Sequence, residues 1–200
     1  MMETPKFTDS NPSDQQLRAE NDRLIVQADK MLAETGVLDV FARHGEVGKI
    51  GGSFRYGLMV YPDLDFGVVA DVVRREQFSG LLADLANQSY IRKLQSVAIE
   101  PEDNSGSSKY WIGLEIPFEG DNWGLDSWLQ LKSAVGKYID PYLESLNALA
   151  DEKRDLILRL KYDTIRRGLY GKKYSSVQVY DAVINGEVGT VEDFYTSFEE

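Results

Sequence analysis

The stretch Leu64-Asp65-Phe66-Gly67-Val68-Val69-Ala70 is nearly continuous in apolar residues and partly β-branched, the pattern of a strand buried in a sheet, yet acids stand at its head. Side chains alternate across a strand, so Asp63 and Asp65 share one face, two rises of roughly 3.3 Å apart, while Leu64 points into the core. A chain built around such a strand needs a sheet with one covered face and one on which carboxylates are tolerated.

The remaining pattern supplies that sheet. Strands are expected over Glu46–Ile50, Tyr90–Ile99, Tyr110–Phe118 and Trp123–Leu129, the third alternating strictly and the last carrying Asp126. Leu17, Leu24, Ile25, Ala28 and Leu32 recur at helical spacing over Ser13–Glu34; Leu38–His44 and Arg75–Gln88 are further helices. Glu100–Lys109 is a polar, Gly- and Ser-rich connection, and Glu119-Gly120-Asp121-Asn122 is a turn. Beyond Gln130 the pattern turns helical. Asp140 with Pro141 starts a helix running to about Arg167, Gly168 to Gly171 breaks it, Ser175 or Ser176 caps another through Ile184, and Thr190 with Asp193 resembles a capping box. The expected fold is α+β, a small mixed sheet with helices over residues 13–130 followed by a helical region at 131–200, with residues 1–12 a disordered tail.

Composition narrows the chemistry. With no cysteine and a single histidine, His44, which reads as structural, any metal must be held by oxygen. No apolar run approaches the roughly 20 residues of a membrane span, and the N-terminus lacks a secretory pattern, so a cytoplasmic protein is expected. A formal charge of −11 opposes non-specific grip on long nucleic acid and suits a small or cationic partner. Basic residues nevertheless crowd Asp151–Lys173, either as a solvated helix face with ion pairs or as a patch for a triphosphate. Tyr162, Tyr170, Tyr174 and Tyr180 in the same region are expected to pack helices together.

Ile50-Gly51-Gly52-Ser53, nine intervening residues and Asp63-Leu64-Asp65-Phe66 form the most informative pairing in the chain. Glycines let backbone amides approach phosphate oxygens, and the Ser53 hydroxyl adds a donor. Two carboxylates at strand spacing suit Mg²⁺, which keeps waters and completes its shell with substrate phosphates.

These elements resemble the signature of the nucleotidyltransferase superfamily of the DNA polymerase β type: a hydrophobic residue, Gly-Gly/Ser, a spacer, then Asp-hydrophobic-Asp/Glu-hydrophobic. Phe54-Arg55-Tyr56-Gly57-Leu58 and Pro62 look like the small-molecule branch, similar to aminoglycoside nucleotidyltransferases and bacterial relatives. The resemblance implies two Mg²⁺ ions, with Mn²⁺ as the alternative, on Asp63, Asp65 and a third carboxylate, Asp126, with Glu115 in reserve. It implies nucleotide contacts from Gly51, Gly52, Ser53, Arg55 and Lys161, the last aided by Arg159 or Lys172. The implied reaction moves a nucleoside monophosphate from an NTP, with ATP the expected donor, to a hydroxyl of a small-molecule acceptor, with a protein side chain as the variant, and releases pyrophosphate. A homodimer or protein partner is left open. The competing class is a non-catalytic, antitoxin-like member that keeps the scaffold for binding, and an RNA-tailing enzyme ranks last because the chain is acidic and its helical region small.

Overall fold

The computed structural model describes residues 11–99, 108–135, 140–186 and 188–198. The expected tail and the polar connection therefore lie largely outside the described residues. The chain divides into two compact units, one holding residues 26–52 and 62–139, the other residues 1–25, 53–61 and 140–200.

The first unit is a five-stranded mixed sheet in the order β1-β2-β5-β4-β3, with β1 Glu46–Val47, β2 Asp63–Ala70, β3 Lys93–Ile99, β4 Lys109–Phe118 and β5 Asp121–Leu131. β2 and β5 run parallel and every other neighbouring pair is antiparallel. Alternation sorts the faces. Leu64, Phe66 and Val68 of β2, Tyr110, Ile112, Leu114 and Ile116 of β4, and Trp123, Leu125 and Leu129 of β5 are buried. Helix α1 spans Asp14–Thr35 and α5 Lys132–Val135, and helices α2 (Val37–Ala42) and α4 (Arg75–Ala86) supply core aromatics: Phe41 meets Phe66 edge-on at 4.9 Å, and Phe78 stacks on Tyr110 at 4.4 Å. Each such fully buried ring contributes roughly 1.5–3 kcal/mol.

The β4–β5 turn places Glu119 at φ 45° and Gly120 at φ 85°, the left-handed pair that matches the twist of a tight hairpin. A non-glycine residue there is strained. It is held by Lys30, which pairs with the Glu119 carboxylate, and by Gln27, whose amide donates to the Phe118 and Glu119 carbonyls.

The expected strand at Glu46–Ile50 shortens to the two residues of β1, because Gly48 and Gly51 instead donate to Gly67 O and Asp65 O as a looser strap beside β2. The Gly-rich turn is also the start of a helix, α3, Gly52–Tyr56.

The second unit is helical, with α6 Leu143–Asn147, α7 Asp151–Arg166, α8 Ser176–Ile184 and α9 Val191–Thr196 around a core that includes Leu17, Leu58, Val60, Ile157, Leu160, Val183 and Phe194. One continuous helix from Asp140 to Arg167 does not form. Ala150 is extended (φ −63°, ψ 154°) and separates α6 from α7. The Asp140 carboxylate accepts from Tyr56 Oη at 2.6 Å, Arg55 Nη1 at 3.2 Å and Tyr142 N at 3.1 Å, so it ties α3 to the segment before α6. Ser175 and Gln178 form the capping box of α8, and Thr190 caps α9 by accepting from Asp193 N.

The basic run at Asp151–Lys173 is in part the solvated, ion-paired face: Lys153, Arg166, Arg167, Lys172 and Lys173 are exposed, whereas Arg154 and Arg159 are half-buried and Lys161 is buried. Arg154 donates to the carbonyls of Tyr56, Gly57 and Leu146, Arg159 pairs with Asp14, and Arg166 and Arg167 both pair with Asp163. Of the four tyrosines expected to pack, Tyr162, Tyr174 and Tyr180 are buried, and Tyr170 meets Tyr61 edge-on at 5.6 Å.

Asp163 also accepts from Tyr195 Oη at 2.7 Å. Burial works to raise its carboxyl, but the hydrogen bonds from Tyr195, Arg166 and Arg167 outweigh it and hold the group below the ordinary 3.8. A depressed carboxylate stabilises the fold above its unfolded pKa and loses that contribution as pH falls through the folded value. Asp163→Asn is therefore expected to lose about 1–2 kcal/mol in urea unfolding at pH 7, with the deficit shrinking when the same titration is run near pH 3.

Candidate functional site

Parallel pairing of β2 with β5 decides where the acids meet. The register sets Asp63 opposite Gly124, Asp65 opposite Asp126 and Gly67 opposite Trp128. Directly paired residues share a face, so Asp63, Asp65 and Asp126 all stand on the side of the sheet away from the core. Antiparallel β4 extends the rows, placing Glu115 beside Gly124, Gly113 beside Asp126 and Trp111 beside Trp128.

Burial first, and the negative charge of Asp65 second, raise the Asp126 carboxyl above the ordinary carboxylate value. Glu115 lies one strand further out and forms an ion pair with Arg92. By register Asp126 is therefore the direct cross-strand neighbour of Asp65, and Glu115 is not.

Glycines make room for each acid. A β-carbon built on Gly52 would come within 2.8 Å of Asp65 Oδ2, and one on Gly124 within 2.7 Å of Asp63 Oδ1. One on Gly113 would come within 2.6 Å of the Trp111 indole and 3.3 Å of Asp126 Oδ1. Gly113 and Gly124 were not singled out from sequence, although glycine inside a strand pattern signals close approach and was the available clue. Gly52 has a second reason to be glycine, its φ of 57°.

The glycine pair divides its labour. The Gly51 amide donates to Asp65 O at 2.8 Å, so it fixes the strap to β2 and is not aimed at a ligand.

In the helical unit, Lys161 is completely buried, and its Nζ donates to Ser53 Oγ and, at 2.6 Å, to Leu58 O. The Tyr180 ring lies 5.8 Å from the ammonium, and Tyr180 Oη is 3.3 Å from Ser53 Oγ. Among the described residues no carboxylate lies within ion-pair distance of Lys161. Its direct partners are neutral oxygens, and it holds both ends of the Ser53–Leu58 segment. Arg55, expected at the nucleotide, is bonded to Asp140.

His44 has a structural setting: its Nε2 lies 2.9 Å from Asp84, and its carbonyl accepts from Gln77.

Among the described residues no three His, Cys, Asp or Glu side chains gather closely enough to form a metal cage. The donor chemistry nevertheless fits a hard cation, because Asp65 and Asp126 are neighbouring oxygen donors with Asp63 on the same face, and Mg²⁺ draws the rest of its shell from water and phosphate.

No protein-family model and no curated protein matches the sequence. Solved structures do match in fold. The GLD-2–GLD-3 poly(A) polymerase complex aligns at a TM-score of 0.56 and 12% identity over 96% of this chain and 64% of that one. The fold is that of the polymerase β-like nucleotidyltransferases. A cytoplasmic RNA terminal U-transferase shares this nucleotidyltransferase fold at a TM-score of 0.52 and 13% identity, over 87% of this chain and 54% of that one. The poly(U) polymerase Cid1 bound to MgATP does so at 0.50 and 15%, over 80% of this chain and 49% of that one. The chain thus spans about half to two thirds of the length of these nucleotidyltransferases. No helix among the described residues is long and apolar enough to cross a membrane.

A carboxyl whose pKa is raised by folding opposes folding once ionised, so its penalty is absent in acid and complete above the raised value. Asp126→Asn is expected to raise the metal-free melting temperature at pH 7 and to leave it unchanged near pH 3, as read by calorimetry in EDTA.

Proposed function

We propose that the protein transfers a nucleoside monophosphate from a nucleoside triphosphate, with ATP the expected donor, to the hydroxyl of a small-molecule acceptor. The observation that carries the reading is the acid row: Asp65 beside Asp126, with Asp63 on the same face and glycines clearing space at all three. Carboxylates set side by side repel one another in the absence of a cation, and a scaffold without chemistry has no use for that cost.

In this reading Asp63, Asp65 and Asp126 hold Mg²⁺, with Mn²⁺ as the substitute. The ion, when bound, neutralises charge on the phosphates and on the leaving oxygen. Asp126 also takes the proton of the acceptor hydroxyl at a carboxylate oxygen. The acceptor oxygen then bonds to the α-phosphorus in line with the breaking bond to the β-phosphate, and pyrophosphate departs.

Gly52, beside Asp65, is assigned to the triphosphate, and Gly51 supports it by fixing the strap to β2. Within the helical unit Lys161 holds Ser53 and Arg55 ties α3 to Asp140. The known poly(A) and poly(U) polymerases show that the fold serves nucleotidyl transfer, and a small acceptor suits the −11 charge better than an RNA chain does.

A second reading, a partner-binding member without turnover, is favoured by one observation: the described residues contain no close group of three metal-ligating side chains. A thermal-shift series of the four NTPs with and without Mg²⁺ or Mn²⁺ separates the two. A catalytic protein is stabilised by one metal–triphosphate pair, by about 2.7 kcal/mol at a hundredfold excess over Kd. Asp63→Asn/Asp65→Asn removes that stabilisation, and pyrophosphate release falls by about 100-fold or more. Absence of any metal-dependent shift in the wild type favours the binding reading.

A further inference from the structure

The strap from Gly45 to Gly52 ends on the glycine assigned to the triphosphate, yet little in its own sequence holds it in register. Four of its eight residues are glycine and none of the eight is buried. Hydrophobic burial, which fixes register in β2 and β5, therefore has no grip on it, and glycine-rich strands slip easily. Its bonds to β2 are made by backbone: Glu46 pairs with Val69 and Val47 with Val68, then Gly48 N donates to Gly67 O and Gly51 N to Asp65 O, both at 2.8 Å. A shifted strap remakes bonds of the same kind, but it carries Gly52 off the Asp65 carboxylate, whose Oδ2 a β-carbon at position 52 would meet at 2.8 Å.

The contacts that single out one register lie where the strap begins. His44 Nε2 is 2.9 Å from Asp84 Oδ2 on α4, Arg43 Nη1 is 3.6 Å from the same atom, and Gln77, also on α4, donates to the His44 carbonyl. The imidazole is only 16% exposed and lies against Gly80, where a built β-carbon would stand 3.4 Å from Cε1. Directly after it the chain is pressed onto β2, because a β-carbon on Gly45 would come within 2.8 Å of both Val69 O and Val68 Cγ1. The strap's other charged contact, Glu46 with Lys132 at 2.6 Å, joins two exposed side chains and contributes little. Helix α2 ends at Ala42, so its buried Phe41 acts on the strap only through the turn that His44 N closes on Phe41 O at 2.9 Å.

We propose that His44 is a positioning residue: its bond to Asp84 sets the register of the strap and thereby the seat of Gly52 against Asp65. This rests on the reading of Gly52 as a triphosphate contact and gives the chain's single histidine a part in that site without touching the nucleotide. A carboxylate only accepts, so Nε2 carries the proton, and a hydrogen bond to a charged acceptor is stronger than the neutral backbone bonds further along the strap.

Amide hydrogen exchange followed by NMR on the full chain tests this without any ligand. Gly48 and Gly51 are expected to exchange about tenfold faster in His44→Ala and in Asp84→Ala, the loss of one charge-assisted hydrogen bond, while Ile112 of β4 and Leu125 of β5 keep wild-type rates. His44→Gln, which returns an amide donor to the Nε2 position, is expected to bring Gly51 back to within about threefold of wild type. Unchanged exchange at Gly51 in His44→Ala, equal acceleration at Ile112 and Leu125, or no recovery in His44→Gln overturns the proposal. Thermal-shift titration of the same variants with the four Mg²⁺–NTP pairs keeps this apart from the transfer reading. The pair that stabilises the wild type is expected to need about tenfold more nucleotide with His44→Ala, and an equal affinity overturns the link from His44 to Gly52. If no pair stabilises the wild type, the transfer reading fails, and the exchange rates still decide whether His44 sets the register.

Discussion

The parallel pairing of β2 with β5 is the constraint on which the arrangement of the sheet's acids depends. It brings together two strands separated in sequence by α4, β3 and β4, and its register leaves no freedom about which side chains become neighbours. A slip by one residue would send Asp65 into the core and Phe66 to water, so core burial of Leu64, Phe66 and Leu125 fixes the acids in place. Hydrophobic burial thereby holds like charges side by side, with the burden visible as the upward shift of Asp126.

Much of this was legible in the sequence because strand periodicity is a local signal. Alternation in Tyr110–Phe118 and Trp123–Leu129 locates β4 and β5 and puts Asp126 on the face opposite Leu125, and Asp63-Leu64-Asp65 announces its own geometry. Pairing order is not local, and of the two acids the sequence reading offered, Asp126 with Glu115 in reserve, the register sets Asp126 opposite Asp65. That Asp126 pairs with Asp65 while Glu115 lies one strand further out follows from a strand order that no spacing rule supplies.

Charged residues misled more than apolar ones. A cluster of cations between Asp151 and Lys173 looks like a surface, because counting charges ignores where the partners come from. Asp14 and the Tyr56, Gly57 and Leu58 carbonyls lie far away in the chain and are what Arg159, Arg154 and Lys161 serve, whereas Arg166 and Arg167 stay on an exposed face with Asp163. Asp140 shows the same effect: its composition suits a helix cap, but a tyrosine hydroxyl from α3 competes for the carboxylate, and the helix begins later.

The bonds from Lys161 to Ser53 and Leu58 span 108 and 103 residues. Closing so large a loop is an entropic toll that grows with the logarithm of its length, and contacts of this kind form late unless something else gathers the chain first. The helical unit is assembled from three separated stretches, so it has no complete core until α7 exists to receive the Ser53–Tyr61 segment. Cutting the gene where composition turns from strand to helix would not yield two folding units. It would strand a short apolar segment in the first piece and leave a buried lysine without acceptors in the second, and domain swaps in this scaffold must respect the interleaving.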